Sequence, residues 1–302
     1  VITSQQEAIK MSFGNKLEQI FCTYTEGKTL NEIELFTKMK DSFILLKNSC
    51  PKYEISIIHG SRSHVSFGVT GDYVRGKKGT VVTRELADMM FIVVSPARKE
   101  FRLFFLQNKV GHDLMYEKKF PADLLQLDLL KFRPVFNQDG MPVDILQKAE
   151  MSSVGSYGIF YNEKGQPSKY NMAYSTAEII NPIRRDGKGV KRKVRIVGDW
   201  EATSFGTKGH RQFDSCCRLE SFAEGMLDMM IGTPIESMWE LRQICSNKLF
   251  EGCRPILMKW GCEFLDFGEN RDLDYKEVPQ RVSAKTVILL NADIINMCDD
   301  RR

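Results

Sequence analysis

Two apolar runs, close together in the chain and each bordered by polar residues, constrain this protein more than any other feature. Met89 to Val94 is one run and Leu103 to Leu106 the other. Between them Ser95-Pro-Ala-Arg-Lys99 is short, polar and proline-containing, as a hairpin connection needs. Unbroken apolar runs of this length read as strands covered on both faces. Asp88 heads the first strand, and Gln107 and Lys109 close the second. Burying such groups without partners costs about 2–7 kcal/mol each, so their presence needs a reason.

Side-chain alternation supplies one. Leu86, Asp88, Met90 and Ile92 share a face of the first strand, with Glu85 pointing the other way. Phe101, Leu103, Phe105, Gln107 and Lys109 share a face of the second. A hairpin therefore brings Gln107 and Lys109 toward Asp88. An aspartate, a short gap and Gln-x-Lys at the end of the next strand resembles the PD-(D/E)xK nuclease superfamily. Gln107 stands where a second acid is usual, and Ala87 where a proline often precedes the aspartate. The resemblance covers residues 4 to 132. It implies an α/β protein with a restriction-endonuclease-like core, a mixed central sheet flanked by helices, over 1–140, and an α+β C-terminal region over 141–302.

The resemblance also implies a chemistry. Asp88, Gln107 and the backbone carbonyl of Asn108 would hold Mg²⁺, or Mn²⁺ in its place, and Lys109 would steer or polarise the attacking water. Gly14-Asn-Lys-Leu-Glu18 is similar to the superfamily's first-helix segment, whose glutamate reaches the metal; Glu18 is then the further acid that Gln107 leaves missing. The implied activity is metal-dependent endonucleolytic hydrolysis of DNA, in a setting such as bacterial restriction or anti-phage defence. The residues alone also admit a buried Asp–Lys ion pair and a hydrogen-bonded glutamine in an ordinary sheet. The corresponding alternative is a nuclease-fold protein that binds nucleic acid, or a helicase-like partner, without cutting.

Composition narrows the class without choosing among these. With 302 residues, 42% hydrophobic and 27% charged, the chain can bury one large core or two modest ones. No apolar run approaches the roughly 18 residues of a membrane span. The first residues lack the basic-then-apolar pattern of a signal peptide. None of the eight cysteines forms Cys-x-x-Cys, which suits a reducing cytoplasm. His210 with Cys216 and Cys217 has poor spacing for structural zinc. The net charge of +4 is mild, so clustering matters more than the total.

Along the chain, residues 4 to 26 read as a helix with Phe13, Leu17, Ile20, Phe21 and Tyr24 on one face. Thr29-Leu-Asn-Glu32 reads as the capping box of a second helix ending before Pro51. Strands are expected over 53–58 and 64–69, with His59 and His64 flanking the turn. The glycine-rich loop 71–80 carries Lys77 and Lys78, a phosphate-binding candidate that leads into the Asp88 strand. A helix is expected from Phe120-Pro121 to Phe132, with Gln126 a candidate to face the site. A soft boundary is placed near residue 140.

Further on, a strand is expected over 155–161 and short helix over 175–180. Residues 184–195 hold seven basic residues and one acid in twelve positions: Arg184, Arg185, Lys188, Lys191, Arg192, Lys193 and Arg195, on a glycine-containing loop suited to duplex phosphates. Helices are expected over 213–231 and 234–250, and strands over 254–260 and 286–290, the last one central. The sequence contains no P-loop, dinucleotide-binding glycine pattern or Gly-x-Ser-x-Gly elbow. Unwinding or translocation would therefore need a separate ATPase or helicase subunit; a homodimer is the other assembly considered.

Overall fold

Burial on both faces is what the run Met89–Val94 asks for, and it becomes an interior strand. The computed structural model describes residues 11–60, 64–112, 114–163, 166–183, 189–198, 203–205, 211–213, 216–235, 237–246, 248–264 and 284–299. The chain starts with helices α1 (Phe13–Thr25) and α2 (Glu32–Ser49), then strands β1 (Ile55–His59), β2 (His64–Gly68) and β3 (Val81–Glu85). The hairpin β4 (Met89–Ser95) and β5 (Glu100–Val110) follows, then α3 (Leu114–Glu117), β6 (Lys119–Asp123) and α4 (Leu124–Phe132). Next come β7 (Phe136–Gln138), β8 (Met141–Val143), β9 (Gly155–Glu163), β10 (Gln166–Thr176), β11 (Ile180–Pro182) and β12 (Lys191–Ile196). The rest is β13 (Thr203–Phe205), β14 (Arg211–Phe213), β15 (Cys216–Arg218), α5 (Leu219–Leu227), β16 (Thr233–Ile235), α6 (Met238–Ser246), α7 (Arg254–Phe264), β17 (Thr286–Asn291) and α8 (Ala292–Cys298).

The protein is mixed α/β, with a central mixed sheet flanked by helices. Among the described residues the main sheet runs β1-β17-β4-β5-β9-β10-β15, with β16 also on β5. β17 is parallel to β4 and β5 to β9, while β4 and β5 are antiparallel. One face packs Phe91, Phe104 and Met172 against α1, α2, α5 and α8. Phe91 and Phe104 stack at 4.7 Å, and the Phe222 edge meets both rings. The other face packs Met90, Phe105 and Tyr157 against α4, α6, α7 and the smaller sheets. Each fully buried large apolar side chain contributes about 1.5–3 kcal/mol.

Several expectations are corrected by tertiary context. β17, from the region after residue 140, lies between β1 and β4 in the main sheet. The capping box is Asn31 with Glu34: the Asn31 carboxamide accepts from the Ile33 and Glu34 amides at 3.0 Å, and Glu34 accepts from the Asn31 amide at 2.8 Å. That leaves Glu32 free for another partner. Pro121 sits in β6, an edge strand where its missing N–H costs nothing, and Asp123 caps α4. Residues 254–264 are helical where a strand is expected, and Pro234 lies in a strand where a helix is expected. The helix expected over 213–231 is shortened to α5, preceded by β15, and that expected over 175–180 is a 3-10 turn, Ala177–Ile179. Within the basic segment, Lys191–Ile196 is a strand, β12, where a loop is expected. The central position expected of 286–290 is observed.

Candidate active site

The sheet register builds the site. Thr286 pairs with Met89, and Met89 with Leu106. One residue earlier on β17 and β4, and one later on β5, Lys285, Asp88 and Gln107 form a row, which Tyr157 of β9 extends. The backbone fixes its members: the Thr286 amide donates to the Asp88 carbonyl at 3.2 Å, and the Gly60 amide to the Lys285 carbonyl at 3.1 Å. Asp88, Gln107 and Tyr157 are buried, and Lys285 is half-buried.

Asp88 is the hub. Its Oδ2 accepts from Gln107 Nε2 at 2.5 Å and from the Asn108 amide at 2.9 Å. Its Oδ1 pairs with the Lys285 ammonium. Gln126, projecting from α4, donates to Gln107 Oε1 at 2.6 Å and to the Glu85 carbonyl at 3.0 Å. Lys285 also meets Glu85 Oε1 at 3.4 Å and lies 5.6 Å from the Phe36 ring centre. Glu85 therefore joins the site where strand alternation has it pointing away. The reason is topological: β3 ends at Glu85 in a separate four-stranded sheet, β4 starts at Met89, and no continuous alternation links them.

Lys109 and Glu18, the other two expected catalytic residues, are engaged elsewhere. The Lys109 ammonium is 2.8 Å from Glu32 at the start of α2. Glu18 accepts from Asn171 Nδ2 at 2.8 Å and from the Glu220 amide at 2.9 Å, in the first turn of α5. An anion there satisfies an orphan helix amide and suits the helix dipole. Asn171 is on β10, three strands from β4, so Glu18 is anchored roughly 14 Å across the sheet from the Asp88 strand. The Asn108 side chain points to the opposite face from Gln107, fully buried beside Gly158, with no hydrogen-bond partner for either amide atom. The Tyr157 hydroxyl is likewise buried and without a partner, and burial pushes its phenol far up, with Asp123 and Asp88 adding.

Of the expected nucleic-acid contacts, Lys191, Lys193 and Arg195 are exposed at alternate positions of β12, and Arg192 is half-buried. Lys191 sits opposite Asp123 and Arg195 opposite Lys119. The face is electropositive: Lys119 holds the exposed Glu117 carboxyl below its ordinary value, with Lys193 and Arg195 adding to it. Asp123 links this strand to the site, pairing with Arg84 at 3.1 Å and capping α4 one turn before Gln126. Lys77 and Lys78 are exposed, but their loop enters β3, so five strand residues, about 16 Å, separate it from Glu85. Arg184, Arg185, Lys188 and His210 lie outside the described residues. Cys216 is buried and its thiol is pushed up to about 12 by that burial, the reverse of a metal-binding thiolate.

No family model, curated protein or solved structure matches the chain.

Among the described residues, no three His, Cys, Asp or Glu side chains gather as a metal group. Two carboxylates do share one ammonium: Glu85 and Asp88 against Lys285 leave one formal negative charge. Among the described residues, Glu85 Oε1 is buried with no hydrogen bond and meets that ammonium at 3.4 Å. Carboxylate and amide oxygens of this kind fit Mg²⁺ or Mn²⁺, with water completing the shell, and do not fit a thiophilic ion. Lys285 and Glu85 are the residues that sequence reasoning misses. The only local signal for Lys285 is its place directly before the apolar run Thr286–Leu290.

Proposed function

We propose that this chain is a metal-dependent nuclease with a restriction-endonuclease-like core, hydrolysing phosphodiester bonds of DNA. The observation that carries the reading is the convergence of Asp88, Gln107, Glu85 and Lys285 at one end of the sheet, with surplus negative charge. Asp88 and Glu85, with the Asn108 carbonyl, would hold Mg²⁺ or Mn²⁺, and the Gln107 side-chain oxygen, which accepts from Gln126 in this structure, would join them once its amide turned over. When bound, the ion supplies Lewis acidity and a more acidic water. In the hydrolysis the water oxygen bonds to phosphorus, the bridging P–O bond breaks, and a proton ends on the leaving oxygen. Gln126 keeps Gln107 oriented toward Asp88. The β12 face carries a nucleic-acid strand: alternate residues lie about 6.7 Å apart, close to two nucleotides' rise along one DNA strand.

A second reading, binding without cutting, is favoured by one observation: the Lys285 ammonium already balances Asp88, and the Gln107 amide N–H groups face that carboxylate. Plasmid DNA incubated with purified protein and Mg²⁺, Mn²⁺ or EDTA separates the two. Metal-dependent nicking that EDTA abolishes is expected; intact plasmid with retained binding leaves the second reading standing, and cleavage of RNA alone overturns DNA as the substrate. Neutralising Lys191, Lys193 and Arg195 together is expected to lower the logarithmic salt slope of duplex binding by roughly 0.9 per lost phosphate contact. Superimposable binding curves would remove β12 from the interface. A role in restriction or anti-phage defence, a cytoplasmic setting, an ATPase or helicase partner and a homodimer belong to this same proposal. Among the described residues no helix is long and apolar enough to cross a membrane.

A further inference from the structure

The lysine that the hairpin motif singles out is not the lysine in contact with the acids. Lys109 is committed to Glu32 in a one-to-one ion pair, which ties the end of β5 to the first turn of α2. Lys285, directly before β17 and some two hundred residues after Asp88 in the chain, contacts Asp88 and Glu85 together. Three features set it apart from a structural counter-ion. It faces two carboxylates with one charge, so the cluster is not neutral. Its side chain is 25% exposed, against 5% for Asp88 and 18% for Glu85, so it is the most open to solvent of the three. Its backbone is held by the sheet, and its ammonium lies 5.6 Å from the Phe36 ring centre, so the ammonium is aimed.

We propose that Lys285, and not Lys109, is the catalytic lysine of this centre. Its ammonium rests on Asp88 and Glu85 in the free protein and turns to a non-bridging oxygen of the scissile phosphate when substrate arrives. There it offsets the charge that builds as the water oxygen bonds to phosphorus. Preorganised positive charge at such a position is worth about a hundredfold to a thousandfold in rate. Lys109 is a strap between β5 and α2. The inference rests on the nuclease reading and adds to it which cation touches the substrate.

The experiment compares Lys285→Ala, Lys285→Arg and Lys109→Ala with wild type. Plasmid cleavage, duplex binding, Mn²⁺ affinity by calorimetry and thermal melting are measured for each. Lys285→Ala is expected to lose at least about a hundredfold in cleavage rate with duplex binding within about twofold of wild type. It should bind Mn²⁺ more tightly, because the acids lose their competing cation. Lys285→Arg keeps the charge and should retain part of the rate, which answers the objection that the alanine variant misfolds. Lys109→Ala should melt earlier and cleave normally where it is folded, with unchanged Mn²⁺ affinity. Cleavage that survives in Lys285→Ala, or that is lost in a well-folded Lys109→Ala, overturns this assignment while the nuclease reading stands. No cleavage by wild type under any metal overturns both.

Discussion

The hairpin of β4 and β5 buries an ion-paired cluster at each end, and the two are built differently. At the turn end, on the face toward α5 and α8, the Arg102 guanidinium meets Glu100 and donates to the Gly232 carbonyl at 2.9 Å. That pair is sealed, its side chains 2% and 12% exposed, and it pins β16 to β5. Burial pulls the Arg102 guanidinium below its usual value, and Glu100 and Glu150 oppose the shift. At the open end, on the other face, Lys285 serves two acids and remains in reach of solvent. A closed cluster suits architecture. An open cluster with an accessible cation suits binding and turnover. The same sheet supports both because the ends of strands, unlike their middles, can be left partly open.

Breaking the closed end should have the largest effect on the fold. Arg102→Met strands a buried carboxylate and a carbonyl and is expected to cost about 3–5 kcal/mol, a large share of an ordinary domain's stability. Adding Glu100→Leu should recover much of that loss. Urea melts of the single and double variants check this, and a single variant that melts like wild type would erase the contrast. At the open end, Asp88→Ala should cost less, about 1–3 kcal/mol, because the Gln107 and Asn108 N–H groups lose their acceptor while Lys285 keeps Glu85 and water. Its cleavage rate should fall by about a hundredfold to a thousandfold, some 3–4 kcal/mol of barrier. A large loss of stability with cleavage retained would make both ends structural.

Gln107→Glu sharpens the comparison further. The new carboxylate faces Asp88 where an amide now donates at 2.5 Å. Without divalent metal the variant should be destabilised by about 1–2 kcal/mol, and Mg²⁺ should restore more stability to it than to wild type. Thermal shift against Mg²⁺ for wild type, Gln107→Glu and Gln107→Ala reads this directly. Equal Mg²⁺ responses in all three would take residue 107 away from the metal.

The smallest effect concerns the loop before β3. Asp128 of α4 accepts from the Thr70 and Gly71 amides at 2.8 to 3.0 Å. Burial raises its carboxyl, and those two amides pull in the opposite sense. A carboxyl raised in the folded state binds its proton more tightly there than in the unfolded chain. Its contribution to stability is therefore full below the ordinary carboxylate pKa and is lost as pH rises through the raised value. Asp128→Asn should flatten this part of the melting-temperature profile, by less than about 1 kcal/mol, and leave cleavage unchanged. A steeper profile in the variant would reverse the assignment.

The apolar runs alone specified β4, β5 and β17, because residues buried on both faces leave an unmistakable pattern. They also specified that Asp88 and Gln107 share a face, since alternation along adjacent strands is local geometry. Asn31 and Glu34 show where local reading slips: two overlapping capping boxes are written in the sequence, and the folded chain forms the second. The helix over 254–264 shows another limit, for a short apolar stretch suits either state until its neighbours are known. Which lysine reaches Asp88 was never a local question. Lys109 lies two residues from Gln107, and Lys285 lies in a distant part of the chain, yet the parallel pairing of β17 with β4 sets Lys285 beside the aspartate. The sequence determines which groups must be buried. Strand order, which depends on how whole faces pack, decides which of them meet.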